Sequence, residues 1–150
     1  MGLRERLEAD MKAALKARER LRLEAIRGVR GAIRNREIEL GAALDDDGIL
    51  RVVRALVKQR EEAAQAYRAG GREDLAAKEE AERCVLEAYL PAAPGEAEIE
   101  RVVREVIAEV GASGPRDMGR VMKPALERLG PAADGKLASQ IARRLLAGSA

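Results

Sequence analysis

The 150-residue sequence contains no histidine, tryptophan or phenylalanine, one cysteine, Cys84, and two tyrosines, Tyr67 and Tyr89. Without histidine, the commonest general base and commonest transition-metal ligand are gone, which excludes His-dependent hydrolytic triads and zinc chemistry. A lone cysteine supports neither a disulfide framework nor a Cys-based metal spacing, and its place among apolar helix residues reads as an inert, buried thiol. The shortage of aromatics removes stacking platforms for single-stranded bases. No apolar run approaches the roughly 20 residues of a membrane span. The first residues, MGLRERLEADMK, alternate charged and apolar side chains rather than forming a signal-peptide segment. The expectation is a cytoplasmic protein with no membrane partner.

What is present is 47% apolar residue, mostly Ala, Leu, Val and Ile, and 36% charge. That composition favours helices over sheets. Carboxylates are spread along every segment, where solvation explains them, and no catalytic pair stands out. No catalytic residue, cofactor or metal ligand is assigned. Asp45-Asp46-Asp47 reads as a helix N-terminus, since it lacks the glycine and terminal glutamate of an EF-hand loop. Neither a Walker A nor a Rossmann glycine pattern occurs, so ATP binding is unsupported.

Apolar residues recur at three- and four-residue steps almost throughout, punctuated by Gly and Pro. A first helix spans about 2 to 17, with Leu3, Leu7, Met11, Ala14 and Leu15 inward. A second spans about 19 to 40, with Leu23, Ile26, Val29, Ile33 and Leu40 as its stripe and Gly41 as its stop. A third runs from about 47 to 69, ended by Gly70-Gly71, and a fourth from Arg72 to Tyr89. Leu90-Pro91-Ala92-Ala93-Pro94-Gly95 cannot continue a helix. The expected organisation is all-α: a domain of about four helices over 1–90, a linker over 91–95, and a small three-helix domain over 96–150. In that second part Ile99, Val102, Val103, Val106, Ile107 and Val110 mark one helix. A second opens at Ser113-Gly114-Pro115 and carries a kink or break caused by Pro124. A third is capped by Asp134.

Charge is segregated. Residues 1–36 hold 11 basic and 5 acidic side chains, residues 37–110 hold 10 and 18, and the remainder 7 and 3. Either oppositely charged helices pair within the fold or the basic ends bind a polyanion. Taking Ile26 as zero, Arg30, Arg34, Arg27 and Arg20 fall at about 40, 80, 100 and 120 degrees around their helix. This is a secondary basic flank, for which pairing with the acidic middle is preferred over phosphate. Near the C-terminus, Arg120 and Lys123 on one helix and Lys136, Arg143 and Arg144 on the next form a candidate nucleic-acid-binding face. Gly119 beside them either lets another helix pack closely or lets a ligand approach the backbone, and packing is preferred. Such a face suits phosphates and a structured RNA recognised by shape.

The stretches AGGREDLAAKEEAERCVLEAYLP (69–91), VIAEVGASGPRDMGRVMKPAL (106–126) and ADGKLASQIARRLL (133–146) resemble the GatB/YqeY family, most closely its free-standing YqeY-like proteins. The resemblance covers nearly the whole chain and implies a helical N-terminal domain with a three-helix C-terminal one. Its motif positions here are Asp117, Gly119, Val121, Met122, Lys123, Asp134 and Lys136. In that family the module also forms the tail of the B subunit of the glutamine-dependent tRNA amidotransferase, where it is associated with gripping tRNA. This chain departs from the tail at Gly135, where the tail often has Pro, and at Gly130-Pro131-Ala132, where it is more basic. The resemblance therefore implies a non-catalytic module for tRNA or another structured RNA, accessory to aminoacyl-tRNA amidation or tRNA metabolism. The alternative is a protein-interaction module docking by charge. A carbon-nitrogen ligase acting alone, with glutamine as amido donor, ranks last.

Overall fold

A computed structural model describes residues 2–148. Among them are seven α-helices, one 3-10 turn and no strand. The helices are α1 (Leu3–Ala17), α2 (Arg20–Leu40), α3 (Asp46–Ala69), α4 (Glu73–Glu87), α5 (Glu96–Val110), α6 (Met118–Leu129) and α7 (Gly135–Gly148), with the 3-10 turn at Pro115–Asp117. Contacts divide the chain into two compact units, Met1–Leu90 and Pro91–Ala150.

In the N-terminal unit, α3 and α4 pack along each other most extensively, and α1 and α2 complete the core. Leu7, Ile26, Val29, Ile33, Ile49, Val53, Val57 and Leu86 are buried together. Each large aliphatic side chain so placed contributes about 1.5–3 kcal/mol. The turn between α1 and α2 is made without glycine. Arg18 takes the left-handed conformation (φ 58), and Glu19 N donates to Ala14 O across it. The triple Asp is used for capping. Asp45 Oδ1 accepts from Gly48 N at 2.8 Å at the start of α3. Asp46 Oδ1 accepts from Leu3 N at 3.2 Å, tying the start of α1 to the start of α3.

Three expectations fail here for one reason: periodicity marks a helix face but not where its partner helix ends. Leu15 is 58% exposed and Leu40 50% exposed, each near the C-terminal end of its helix. Cys84 is also exposed rather than buried, because α4 turns Val85 and Leu86 to the core and Cys84 away from it.

Two polar ties supply what aromatic bulk would otherwise provide. Tyr89, buried, donates its hydroxyl to Asp10 Oδ2 at 2.5 Å. The Arg6 guanidinium lies over its ring, 4.6 Å from the centroid, and donates to Ala88 O. Between α3 and α4, Arg60 Nη1 stands 3.1 Å from Glu79 Oε2 and 3.4 Å from Glu82 Oε2; Glu82 is only 8% exposed.

In the C-terminal unit α5, α6 and α7 pack mutually. Ile99, Val102, Val103 and Val106 meet Val121 and Ala125 of α6 and Ala138, Ile141, Ala142 and Leu146 of α7. α6 runs through Pro124 without the expected break. A helix-interior proline removes one donor and crowds the carbonyl four residues back. With Val121 and Ala125 both buried, packing on either side holds the helix together.

Tyr89→Phe is expected to destabilise the N-terminal unit by about 1–2 kcal/mol, because Asp10 loses a donor. Burial, reinforced by the Asp10 charge, pushes the Tyr89 hydroxyl above the usual tyrosine value of 10.0. The fold favours the neutral phenol, so this contribution is complete below that pH and is lost as pH rises beyond it. Urea unfolding of both proteins at neutral and strongly alkaline pH should show the gap between them narrowing in alkali. Arg60→Ala leaves Glu82 buried without its cation and should cost about 2–3 kcal/mol in the same assay, toward the lower end of the range for a broken buried pair.

Candidate nucleic-acid interface

All six expected C-terminal site residues, Gly119, Arg120, Lys123, Lys136, Arg143 and Arg144, are exposed. The helix geometry separates them. With Ala138 as zero on α7, Arg143, Lys136 and Gln140 fall at about 140, 160 and 200 degrees, opposite the buried side, while Arg144 lies at about 240 degrees. Arg144 is correspondingly drawn toward α5, where it reaches Glu100 Oε2 at 3.2 Å and Glu96 Oε1 at 3.8 Å. Arg120 is engaged at the other end of α5. It donates to the carbonyl of Val110, the last residue of that helix, and to Asp117 Oδ1 at 3.3 Å. A cation there complements the negative end of the α5 dipole. Glu100 and Val110 are ten residues apart, or about 15 Å of helix, so Arg120 and Arg144 do not share one patch. Arg128, on α6, is held by Glu109.

That leaves Lys123, Lys136 and Arg143, none of which has a carboxylate within 4 Å or a side-chain hydrogen bond among the described residues. Arg116, in the 3-10 turn, shares this property, and sequence reasoning had left it out of the site although no carboxylate lies three or four residues to either side. Local structure positions these groups. Asp134 Oδ1 accepts from Lys136 N at 3.0 Å and Leu137 N at 3.2 Å, fixing the start of α7. At the start of α6 the Ser113 hydroxyl makes no cap. Instead the Asp117 carboxylate accepts from Ser113 N at 2.9 Å, which together with other backbone donors and Arg120 holds its pKa below the usual aspartate value.

The preferred packing role of Gly119 does not hold: a methyl group there would meet nothing within 4 Å. The same is true of Gly28 and Gly31 on α2. The secondary flank also departs from the preferred reading. Arg20 pairs within its own helix, with Glu24 at 3.2 Å, but Arg27, Arg30 and Arg34 have no carboxylate within 4 Å. Arg30 instead approaches the Met11 sulfur at 2.9 Å. The acidic middle segment divides its carboxylates: some go to its own arginines, as in Arg68 with Glu73 and Glu80 and Arg83 with Glu61 and Glu87, and others to Arg4, Arg36, Arg128 and Arg144 of the basic ends.

A model of the Yqey-like protein family matches residues 4–146. The chain belongs to that family. Among curated proteins it is 33% identical, over 73% of its own length, to a protein of Lachancea thermotolerans named altered inheritance of mitochondria protein 41, mitochondrial. The proteins of the same name from Saccharomyces cerevisiae and Pyrenophora tritici-repentis are 32% and 31% identical, over 63% and 78% of this chain. The matched stretches cover 60%, 51% and 67% of those three family members. Their names correct the expectation of a cytoplasmic protein: these relatives are named as mitochondrial, a location that helical composition does not encode. No helix among the described residues is long and apolar enough to cross a membrane.

Gly119→Ala should raise thermal stability by roughly 0.5–1 kcal/mol, since alanine is the better helix former and nothing crowds its methyl group. Asp117→Asn gives a test with a definite sign. The depressed carboxyl contributes stability above its unfolded value of about 3.8, which is lost as pH falls through the folded value. The variant should therefore be the less stable protein at pH 7, and the difference should shrink on acidification.

Proposed function

We propose that the chain is a non-catalytic module that binds structured RNA, with tRNA the class indicated by its resemblance to the amidotransferase tail, and that it serves as an accessory to aminoacyl-tRNA amidation or tRNA metabolism. The observation that carries this reading is the set of exposed cations in the C-terminal unit, Lys123, Lys136 and Arg143, that have no carboxylate within 4 Å among the described residues while Arg120, Arg128 and Arg144 each have one. Phosphates are natural counterions for such groups, because each neutralised phosphate releases condensed ions into solution. Gly119 supports the reading from a second side, since it leaves helix backbone uncovered on the face that carries Lys123. The expected binding follows backbone shape and charge rather than base sequence.

A protein partner is the second reading, favoured by one observation: Ile38 is 72% exposed near the end of α2, two residues from the exposed Leu40. The two are separated by whether material co-purifying with the chain resists nuclease.

The deciding experiment measures tRNA binding by fluorescence anisotropy across a salt series. Lys123→Glu combined with Arg143→Glu should weaken binding at least tenfold and lower the slope of log affinity against log salt by about 2, one for each lost phosphate contact. Arg128→Gln, which removes a cation already matched by Glu109, should change binding little. Undetectable tRNA binding at low salt, or equal binding by the double variant, overturns the proposal.

A further inference from the structure

The N-terminal unit contains a cleft between α1 and α2, floored by Leu7 and Ile33 and walled by Arg4, Arg30 and Arg34 with Glu8 and Glu37. Both carboxylates are already matched. Glu37 accepts from Arg4 at 2.7 Å and from Leu44 N at 2.8 Å, and the Arg4 guanidinium holds its pKa below the usual glutamate range. Glu8 stands 3.6 Å from Lys12. What remains is the double positive charge of Arg30 and Arg34, for which no carboxylate lies within 4 Å among the described residues.

These two arginines are spaced i, i+4, an arrangement in which like charges repel on a helix. Their surroundings do little to relieve it. The partner of Arg30 among the described residues is the thioether of Met11, a weak acceptor for a charged guanidinium. Arg34 has a glutamate three residues on, Glu37, but Arg4 occupies it. A concave wall with two uncancelled guanidinium groups, over an apolar floor that lowers the local dielectric, has the charge and donor geometry for an oxyanion of charge near −2.

We infer that the cleft between α1 and α2 binds a phosphate dianion through Arg30 and Arg34, with Arg4 held alongside by Glu37. The phosphate is either a free monoester or the terminal phosphate of a nucleic acid. The site lies in the N-terminal unit and is independent of the RNA face proposed on α6 and α7.

The test uses the full chain and nuclear magnetic resonance of the arginine side-chain Nε–H groups. Inorganic phosphate titrated at constant ionic strength should shift the Arg30 and Arg34 signals in a saturable way and leave Arg128 unmoved. A short oligonucleotide carrying a 5′-phosphate, compared with its 5′-hydroxyl counterpart, distinguishes the sources: a shift only with the phosphorylated oligonucleotide assigns a nucleic-acid end, and a shift with inorganic phosphate assigns a free phosphate. Arg30→Gln with Arg34→Gln should weaken phosphate binding at least tenfold; the tRNA salt slope stays unchanged if the ligand is a free monoester and falls if it is the terminal phosphate of the bound tRNA. The inference is overturned if neither phosphate nor phosphorylated oligonucleotide moves the two signals, or if chloride moves them equally. Because the wild-type titration decides this, a poorly folded variant does not rescue it.

Discussion

The N-terminal unit depends on the carboxylate of Asp10. It accepts the Tyr89 hydroxyl from the far end of the unit, lies 3.6 Å from Arg22 of α2 and 3.9 Å from Arg6 of its own helix, and so joins α1, α2 and the last turn before the linker. In a chain without Phe or Trp, one tyrosine supplies the aromatic area of this core. Its hydroxyl must be satisfied for the ring to be buried at all. Arg6 covers the ring and caps the carbonyl of Ala88, so its stem and head both serve the same junction. The Arg60 contacts to Glu79 and Glu82 repeat the principle between α3 and α4. A small aliphatic core is supplemented by charge-assisted bonds, and those bonds require that specific cations be committed to the fold.

That commitment sorts the cations into two groups. Those with a carboxylate in reach are structural, among them Arg4, Arg6, Arg22 and Arg60 in the first unit and Arg120, Arg128 and Arg144 in the second. Exposed pairs of this kind contribute only about 0–1 kcal/mol each. Their effect on function is larger, because a guanidinium already facing a carboxylate has less positive potential to offer a phosphate. The proposed binding surface is therefore what is left after the subtraction, and it is smaller than a count of Lys and Arg suggests.

Much of this was legible in the sequence, and the division follows the range of the interactions. Helix boundaries rest on local chemistry, and Gly41, the Asp45 cap, Pro91 to Gly95 and Asp134 all act where the pattern places them. The freedom of Lys136 and Arg143 was also readable, since neither has a carboxylate three or four residues away. Arg144 has none either, yet it is engaged, because Glu96 and Glu100 reach it from a different helix. Arg34 has Glu37 in local reach and remains unmatched, because Arg4 arrives from α1 first. Cys84, Leu15 and Leu40 were misplaced for a related reason: a helix face is a local property, and its cover is not. Cellular location depends on neither, which is why the helical composition could not supply it.

Two of the local departures that the fold leaves unexplained lie at the candidate sites. Gly119, the second residue of α6, gives up part of the roughly 1 kcal/mol by which alanine exceeds glycine in a helix and recovers none of it through packing. The like charges of Arg30 and Arg34 at i, i+4 carry a smaller cost of the same kind. Neither departure is repaired by a neighbouring carboxylate or a close helix, and both lie on exposed surface beside free cations. Sequences that fold well agree with their structure at each local choice, and departures gather where function imposes another requirement. A phosphate close to the helix surface meets that requirement at both places: it needs uncovered backbone at Gly119 and uncancelled charge at Arg30 and Arg34. The proposed ligand chemistry would thus account for two local departures of different type, which separate structural causes would have to explain one at a time.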